Sequence, residues 1–371
     1  LFRVTTRVCH SKCILERRGR IAEPKTGSFT HDPRSNVMIP AYARIAHKNL
    51  RATLHKLEEL NEKGEFVNRI EGSGELGVIT SGISFQHVRD AAPEASVLKL
   101  GFTYPLPLET IRKFAESVKR CVVVEEGDPI LADAINAAGI RVEGKPEMFR
   151  FGELNVQRVR RLLAGDTTPE PAPAPGKPPQ LCAGCPHRKT YQALHELNCI
   201  VSGDIGCYTL GVLPPFEAVD TCVCMGASIT VGLGMRRVLP EAEARRVVSV
   251  IGDSTFMHTG VNGIVEMVYN RPATGHVVLV LDNSTTAMTG MQEHPGTGRK
   301  LDHTPAPQVS IEQVVRGIGV DNVDVIDSTV NYEAFKELVQ KRLASNDTSV
   351  IIARRPCILA MVKLKSYEGK K

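Results

Sequence analysis

The segment from Val247 to Leu281 constrains the fold more than any other part of the chain. Its two ends, Val247–Ile251 and Val277–Leu281, are apolar and mainly β-branched, and each has the length of a strand covered on both faces in a parallel sheet. Between them, apolar residues recur at helical spacing over Thr259–Tyr269. The order strand, helix, strand predicts a parallel α/β sheet through this region.

A polar side chain follows each of these strands closely. Asp253 comes after the first strand and Asn283 after the second. Adjacent parallel strands end at the same edge of a sheet, where open α/β sheets bind ligands, so we expect the two side chains to lie close together. Carboxylate and amide oxygens suit a hard cation such as Mg²⁺, with room for phosphate oxygens in its shell. The spacing predicts a metal–diphosphate site, although an ordinary acidic turn of a doubly wound fold would give the same pattern.

Length and composition limit the classes of function. A chain of 371 residues with 42% hydrophobic content predicts two or three domains with large cores. The net charge is +5, and no long basic tract is interleaved with aromatic residues, which argues against nucleic acid binding. No apolar run approaches the roughly 18 to 20 residues of a membrane span, and nothing resembles a signal peptide. We therefore predict a cytoplasmic protein that binds neither nucleic acid nor a membrane.

Alternating strand and helix patterns predict an α/β fold with two doubly wound parallel-sheet domains joined by a Pro-rich linker. The first domain has strand candidates at Gly77–Gly82, Ser96–Gly101 and Cys121–Gly127 and helices at Phe85–Ala92, Leu108–Val118 and Ile130–Ala138. The second has further strands near Cys199–Ser202, Val323–Ile326 and Val350–Ala353. The predicted segments are the tail of a truncated domain (1–30), a connector with a polar helix (31–72), the first α/β domain (73–166), an extended, semi-rigid linker (167–180) and the second α/β domain (181–371).

Four cysteines follow predicted turns and strand ends in the second domain. Cys182 and Cys185 form a CxxC pair after the linker, Cys207 follows a strand, and Cys357 follows the last strand. Ten cysteines without a secretory context argue against a disulfide framework. Four thiolates suit either zinc or an iron–sulfur cluster, and spacing alone leaves both open. The remaining cysteines of this domain and of the first are interpreted as structural.

Several motifs together resemble one family. In chain order they are CAGCPHR, SGDIGC, CMGAS, GDSTFMHTG, LDNSTTAMTG and MQEHPGTG. They are similar to the large subunit of indolepyruvate:ferredoxin oxidoreductase, within the thiamine diphosphate-dependent 2-oxoacid:ferredoxin oxidoreductases. Two positions depart from the thiamine motif, because Ser254 replaces a Gly and Asp282 replaces an Asn. The resemblance implies a transketolase C-terminal-like domain followed by a diphosphate-binding domain.

The resemblance also implies site residues. Mg²⁺ would be held by Asp253, Asn283 and the backbone carbonyl of Thr285, and a 4Fe-4S cluster by Cys182, Cys185, Cys207 and Cys357. Because His258 follows the Mg-binding turn, we expect it either to hydrogen-bond the substrate or to be a structural histidine. Thr289, Gln292 and His294 would line the same cavity. The other residues implied to contact the cofactor are Gly206, Cys207, Gly226, Gly252, Ser254 and Thr289.

The activity that the resemblance implies is oxidative decarboxylation of an aryl 2-oxo acid to the acyl-CoA. Electrons would pass through iron–sulfur clusters to ferredoxin, and the chain would pair with a small (beta) subunit in a hetero-oligomer. We expect most of the pyrimidine-binding domain, with its activating Glu, and a C-terminal ferredoxin-like segment to be absent, so that this chain does not turn over alone. One alternative is a non-redox thiamine-dependent decarboxylase or carboligase, which would need Asp253 and Asn283 but not the four cysteines. A second is a non-catalytic α/β protein with a structural zinc, in which the spacing of Asp253 and Asn283 would be a coincidence.

Overall fold

The structure is a computed structural model that describes residues 4–14, 16, 19, 26–171 and 179–362. The chain forms two compact units, with the division after residue 172. Residues 172–178, half of the predicted linker, lie outside the described residues, as do the last nine residues of the predicted second domain and part of the predicted tail at 1–30. No helix in the described ranges is long and apolar enough to cross a membrane.

The first unit contains a four-stranded sheet in the order β1-β3-β2-β4. Its strands are β1 (Val67–Ile70), β2 (Leu76–Ser81), β3 (Ser96–Leu100) and β4 (Arg120–Val124). Its helices are Thr6–His10, Pro33–Asn36, Pro40–Glu62, Ser84–Ala91, Leu108–Glu116, Ile130–Ala137 and Val156–Leu163, with a 3-10 turn at Glu147–Arg150. The three strands and three helices predicted in residues 77–138 are confirmed within a few residues.

One strand of this sheet departs from the predicted parallel arrangement. β1 was not predicted, and it pairs antiparallel with β3 at the sheet edge. Only Val67 and Ile70 of its four residues are even partly buried, so it lacks the continuous apolar run that marks a strand covered on both faces. The other three strands are parallel, as predicted.

The second unit contains a six-stranded, wholly parallel sheet in the order β6-β5-β7-β8-β10-β9. Its strands are β5 (Ile200–Gly203), β6 (Thr221–Cys222), β7 (Val247–Gly252), β8 (His276–Asp282), β9 (Asn322–Ile326) and β10 (Thr348–Arg354). Its α-helices are His187–Glu196, Ser228–Val238, Glu241–Ala244, Asp253–Thr255, Val261–Tyr269, Ile311–Ile318 and Tyr332–Ala344. Shorter turns are 3-10 at Cys207–Val212 and Pro295–Thr297 and π-helical at Phe256–Gly260.

Helices cover both faces of this sheet, which confirms the doubly wound fold. Successive residues of a strand point to opposite faces, so Leu279 lies in one hydrophobic cluster while its neighbours Val278 and Val280 lie in another. Every residue of β7 and β8 is buried. This two-sided burial explains why both strands read as uninterrupted apolar runs in the sequence.

The order of the strands determines where a ligand can bind. From β5 the chain moves outward to β6, and it then returns to β7 on the other side of β5. The direction of winding therefore reverses between β5 and β7, and ligands of open α/β sheets bind at the carboxyl ends of strands near such a reversal. The loops that follow β5, β7 and β8 all begin at this edge.

Candidate functional site

Asp253 begins the helical turn that directly follows β7. The residue is 3% exposed, and its carboxylate accepts backbone hydrogen bonds from Ser254 at 2.8 Å and from Ser284 at 2.7 Å. Burial raises the pKa of the Asp253 carboxyl, and the hydrogen bond with His294 opposes that rise. A buried carboxylate requires compensation by donors or by a cation, and a divalent ion at this edge would add to it.

The loop after β8 brings the second predicted ligand to the same edge. The buried carboxamide of Asn283 accepts the backbone N–H of Thr285 at 3.2 Å through Oδ1. Between them, Ser284 has a φ of +61°, in the left-handed region that few non-glycine residues adopt. The N–H of Ser284 donates to Asp253 at 2.7 Å and to Asp282 at 3.1 Å. This tight turn holds Asn283 and Thr285 beside Asp253.

Both departures from the thiamine motif are accommodated by local partners. Ser254 lies within the helical turn Asp253–Thr255, so no glycine conformation is needed there, and its hydroxyl accepts a hydrogen bond from Thr286 at 2.7 Å. Asp282 is paired with Arg354 of the neighbouring strand at 2.6 Å. Glu312 binds the same guanidinium at 2.7 Å, which lowers the pKa of Glu312 to about 2.

His294 contacts Asp253 and is not among the residues that line the cavity predicted for it. Its Nε2 lies 3.2 Å from Oδ2 of Asp253, and its Nδ1 accepts the backbone N–H of Gly296 at 3.2 Å. Because Nδ1 accepts, the ring proton is assigned to Nε2. His294 therefore donates to the buried carboxylate. The EHPGTG motif gave no signal for this role beyond the presence of the histidine.

A cavity with about 510 Å³ of free space opens between the ends of β5, β7 and β8. The predicted residues that line it are Gly206, Cys207, Gly252, Asp253, Ser254, Asn283, Thr285 and Thr289. Lining residues that the sequence analysis did not single out are Ile205, Tyr208, Met225, Thr255, Leu281, Thr286, Ala287 and Met288. All of them except Tyr208 lie within the motifs quoted above, and Tyr208 directly follows one, which was the available signal. We call this space the diphosphate cavity. Gln292 is not among its lining residues and bonds with Thr289 at 2.7 Å.

His258 does not line the diphosphate cavity, contrary to the prediction for it. It is exposed on the π-helical turn Phe256–Gly260. The helical backbone continues from Asp253 through this turn, and a side chain five positions along leaves the helix from a different face. Asp253 and Ser254 therefore face the cavity while His258 faces solvent. A catalytic role for His258 stays a prediction.

Gly226 also lies outside the lining of the diphosphate cavity, and it supports the site from behind. Its φ is +89°, and a β carbon there would lie 2.7 Å from Cβ of Thr259, so glycine is required by a turn and a close helix contact. Its N–H donates to both carboxylate oxygens of Asp204 at 3.0 Å. Asp204 is completely buried and also accepts the backbone N–H of Ser228 at 3.1 Å. Asp204 lies within the SGDIGC motif, but its supporting role was not predicted from the sequence.

Two predicted glycines make room for one aromatic ring. A β carbon on either Gly206 or Gly252 would overlap the ring of Tyr208. The Tyr208 hydroxyl donates to the backbone carbonyl of Ile205 at 2.9 Å, and burial raises the pKa of this phenol. The ring thus forms a fixed wall of the diphosphate cavity, and the two glycines are explained by packing against it.

The four predicted cysteines line a second cavity, with about 500 Å³ of free space. Three separate stretches of the chain supply them: the CxxC loop, the loop after β5 and the segment after β10. The Cys185 N–H donates to the carbonyl of Cys182 at 3.0 Å, and the N–H of Cys357 donates to the carbonyl of Asn283 at 2.9 Å. We call this space the cysteine cavity. It shares Cys207, Asn283 and Ala287 with the diphosphate cavity.

The thiols of this cavity influence one another. Burial raises the pKa of Cys185 to about 11, with further contributions from Cys182, Cys207 and Cys357. Across the described parts of the chain, no three His, Cys, Asp or Glu side chains are grouped as they would be around a single metal ion.

His187 lines the cysteine cavity and contacts Asn283, which lines both cavities. It was not predicted as a site residue, although it stands in the CPHR motif. It is 3% exposed, and its Nε2 lies 3.2 Å from Nδ2 of Asn283. Since the amide nitrogen can only donate, Nε2 of His187 accepts. Burial lowers the pKa of His187 to about 4, so the ring is neutral at physiological pH. Its ring also packs edge-on against Tyr208, with centroids 6.0 Å apart.

Comparison with known proteins assigns the second unit to a cofactor family. Residues 204–353 match the thiamine pyrophosphate enzyme C-terminal TPP binding domain. This range contains the predicted Mg²⁺ ligands and Cys207, whereas the other three predicted cluster ligands lie outside it. A solved 2-oxoglutarate:ferredoxin oxidoreductase from Magnetococcus marinus covers 48% of this chain and 64% of its own, with 14% identity and a TM-score of 0.40. That likeness is too weak to support a conclusion.

Curated relatives match the chain along nearly its whole length. The indolepyruvate oxidoreductase subunit IorA of Methanothermobacter thermautotrophicus is 38% identical over 97% of this chain and 62% of its own length. The IorA subunit of Archaeoglobus fulgidus is 34% identical over 100% of this chain and 63% of its own length. The chain thus spans just under two thirds of these relatives. Residues 204–353 thus match a thiamine pyrophosphate binding domain, and over the part that it spans the chain is similar to the IorA subunits of indolepyruvate oxidoreductases.

Proposed function

We propose that the second unit holds Mg²⁺ and the diphosphate of thiamine diphosphate at the edge of its sheet, beside a 4Fe-4S cluster, and serves the oxidative decarboxylation of an aryl 2-oxo acid. One observation carries the proposal. The cysteine cavity shares a wall with the diphosphate cavity, and Cys207 and Asn283 belong to both. A redox group and a thiamine group in these spaces would be neighbours, as an oxidative reaction requires and a non-redox reaction does not.

The residues of the diphosphate cavity fit a magnesium ion. Asp253 supplies a buried carboxylate, Asn283 a carboxamide oxygen and Thr285 a backbone carbonyl, and all three residues line the same space. Oxygen donors of this kind are what Mg²⁺ prefers, and the ion keeps room for phosphate oxygens. Bound thiamine diphosphate supplies the electron sink for loss of carbon dioxide from a 2-oxo acid. The protein's part is to bind the diphosphate, to orient it and to exclude water.

The residues of the cysteine cavity fit a four-iron cluster. Four thiols from three chain segments line one space, and Cys357 is fixed to Asn283 through its backbone. Thiols must lose their protons to ligate iron, and burial here raises the pKa values of Cys185 and Cys207. Burial therefore favours the protonated thiols, and the positive charge of the iron would compensate for their ionisation on loading.

The relatives' name supports the proposed substrate, and the family resemblance supports the proposed partners. Their name specifies indolepyruvate, and the lining residues Met225 and Met288 give the diphosphate cavity flexible apolar side chains suited to an aromatic group. We propose indolepyruvate or a related aryl 2-oxo acid as substrate, coenzyme A as acyl acceptor and ferredoxin as electron acceptor. A small beta subunit would complete a hetero-oligomer.

The first test measures iron, acid-labile sulfide and zinc in the chain purified without oxygen. We expect about four iron and four sulfide per chain. Single Ser substitutions at Cys182, Cys185, Cys207 and Cys357 should lower the iron content, and Cys199→Ser is the matched control because Cys199 does not line the cavity. Zinc in place of iron, or equal loss of iron in the control, would contradict the assignment.

The second test measures the reaction with the beta subunit present and with a pyrimidine-binding domain of this family supplied, because the activating Glu is expected in that domain. An aryl 2-oxo acid, coenzyme A and a viologen dye are mixed with the complex under argon, and dye reduction is followed. We expect reduction that depends on coenzyme A and is faster with indolepyruvate than with pyruvate. Carbon dioxide release without dye reduction would indicate a non-redox thiamine enzyme instead.

A further inference from the structure

His187 occupies an unusual position between two proposed ligand sets. Its backbone N–H forms a hydrogen bond with Cys185, two residues earlier. Its ring reaches across to Asn283, where Nε2 accepts from Nδ2 at 3.2 Å. The residue begins the helix His187–Glu196, which is packed into one of the two hydrophobic clusters of the sheet through Tyr191 and Leu194. The ring is thus held on a rigid element.

Two hydrogen bonds, one with His187 and one with the Thr285 backbone, together decide which end of the Asn283 carboxamide faces which neighbour. An amide presents an acceptor oxygen and a donor nitrogen of nearly the same shape, so only its partners fix its orientation. His187 takes the nitrogen, and the N–H of Thr285 takes one lone pair of the oxygen at 3.2 Å. The other lone pair of Oδ1 is left for a cation. A flipped carboxamide would offer N–H groups to the metal, which cannot ligate it.

We propose that His187 is a positioning residue for the metal–diphosphate site: by accepting from the Asn283 amide nitrogen, it holds the amide oxygen as a magnesium ligand. The proposal rests on the proposed function of Asn283 and deepens it. It also links the two cavities physically, because the loop that carries Cys182 and Cys185 leads directly into the residue that orients Asn283.

The test measures metal affinity and not turnover. Mn²⁺ replaces Mg²⁺ as the probe, and its binding to the full chain in the presence of thiamine diphosphate is followed by electron paramagnetic resonance. His187→Leu removes the acceptor at similar volume, and we expect affinity to fall about tenfold, as for other residues that orient a metal ligand. His187→Gln keeps an acceptor oxygen and should bind within about threefold of the wild type. His195→Leu is the control, because His195 is exposed on the same helix.

A double substitution separates positioning from a general effect on structure. In the Asn283→Ala background no carboxamide remains to be oriented, so adding His187→Leu should change the affinity by less than about twofold, because coupled residues are not additive. Additive losses would overturn the proposal, as would unchanged affinity in a folded His187→Leu variant. If that variant fails to fold, the Gln variant decides, since a tenfold loss there would contradict the proposal. Wild-type protein that binds no Mn²⁺ would refute the proposed metal site itself, and the positioning role with it.

Discussion

Nε2 of His294 lies 3.2 Å from Oδ2 of Asp253, and the two side chains are 1% and 4% exposed. The donor direction is fixed, because Nδ1 of the same ring accepts from Gly296. His294 therefore supports the proposed metal ligand Asp253 from one side, while His187 supports Asn283 from another. His294 donates to the Asp253 carboxylate, and His187 accepts from the Asn283 carboxamide. Both arrangements leave lone pairs on the oxygens of Asp253 and Asn283 that could bind a metal ion.

Replacing His294 should weaken the metal site. His294→Leu leaves the buried Asp253 carboxylate without its side-chain donor, and we expect Mn²⁺ affinity in the presence of thiamine diphosphate to fall by about tenfold or more. His294→Gln retains an N–H donor and should lose less. Electron paramagnetic resonance of bound Mn²⁺ measures both. Equal affinity in the Leu and Gln variants would show that the hydrogen bond does not support Asp253.

Acidification should destabilise the fold through two buried histidines. Burial lowers the pKa of His276 to about 3 and that of His187 to about 4. Both are neutral when folded and take up protons when unfolded, so their contribution is fully present above the ordinary value of about 6.5 and is lost as pH falls toward the folded values. Each adds a slope that approaches about 1.4 kcal/mol per pH unit in that window.

The variant His276→Gln tests this slope. Urea unfolding of the metal-free chain at several pH values between about 6.5 and 4.5 gives the free energy of unfolding. The variant should depend on pH less steeply than the wild type by about 1.4 kcal/mol per pH unit at most. Gln can keep the hydrogen bond that His276 makes with Ser249 at 2.8 Å, so the comparison isolates the titration. Parallel curves would mean that His276 titrates normally.

Two glycines should respond to alanine in opposite directions. A β carbon on Gly252 would overlap the Tyr208 ring, so Gly252→Ala should cost about 1 to 3 kcal/mol of stability and weaken thiamine diphosphate binding. Gly234 is exposed in the helix Ser228–Val238 with nothing within 4 Å of its β carbon position. Gly234→Ala should therefore stabilise the protein by about 0.5 to 1 kcal/mol. Urea unfolding and calorimetric binding measure the pair, and a neutral Gly252→Ala would contradict the packing argument.

Asp204 should be essential to the shape of the diphosphate cavity. Its carboxylate accepts the backbone N–H groups of Ile205, Gly226 and Ser228. In Asp204→Asn one oxygen becomes an NH₂ group that faces these donors, and we expect a loss of about 3 kcal/mol of stability together with weaker cofactor binding. Asp302→Asn is the control, because that carboxylate bonds only within an exposed loop. A fully stable Asp204→Asn variant would contradict this account.

Secondary structure and sheet type could be predicted from the sequence because burial of an element requires apolar residues at particular positions. β7 and β8 are buried on both faces, and their apolar runs predicted both strands and their parallel pairing. β1 is a half-exposed edge strand without a run of apolar residues, and for that reason it was not predicted. The exposed position of His258 was also missed, since a motif gives a residue's place in the chain but not the helix face from which its side chain leaves.

The sequence by itself determined the α/β fold, the two strand ends that carry Asp253 and Asn283, and the four cysteines as a candidate ligand set. These follow from local spacing, and spacing is a property of the chain. Only the tertiary structure decided that Cys207 and Asn283 line both cavities, that Tyr208 requires two glycines, and that Asp204, His187 and His294 support the site. Hydrogen bonds between residues as far apart in sequence as His187 and Asn283 depend on the packing of whole elements, and no local pattern records them.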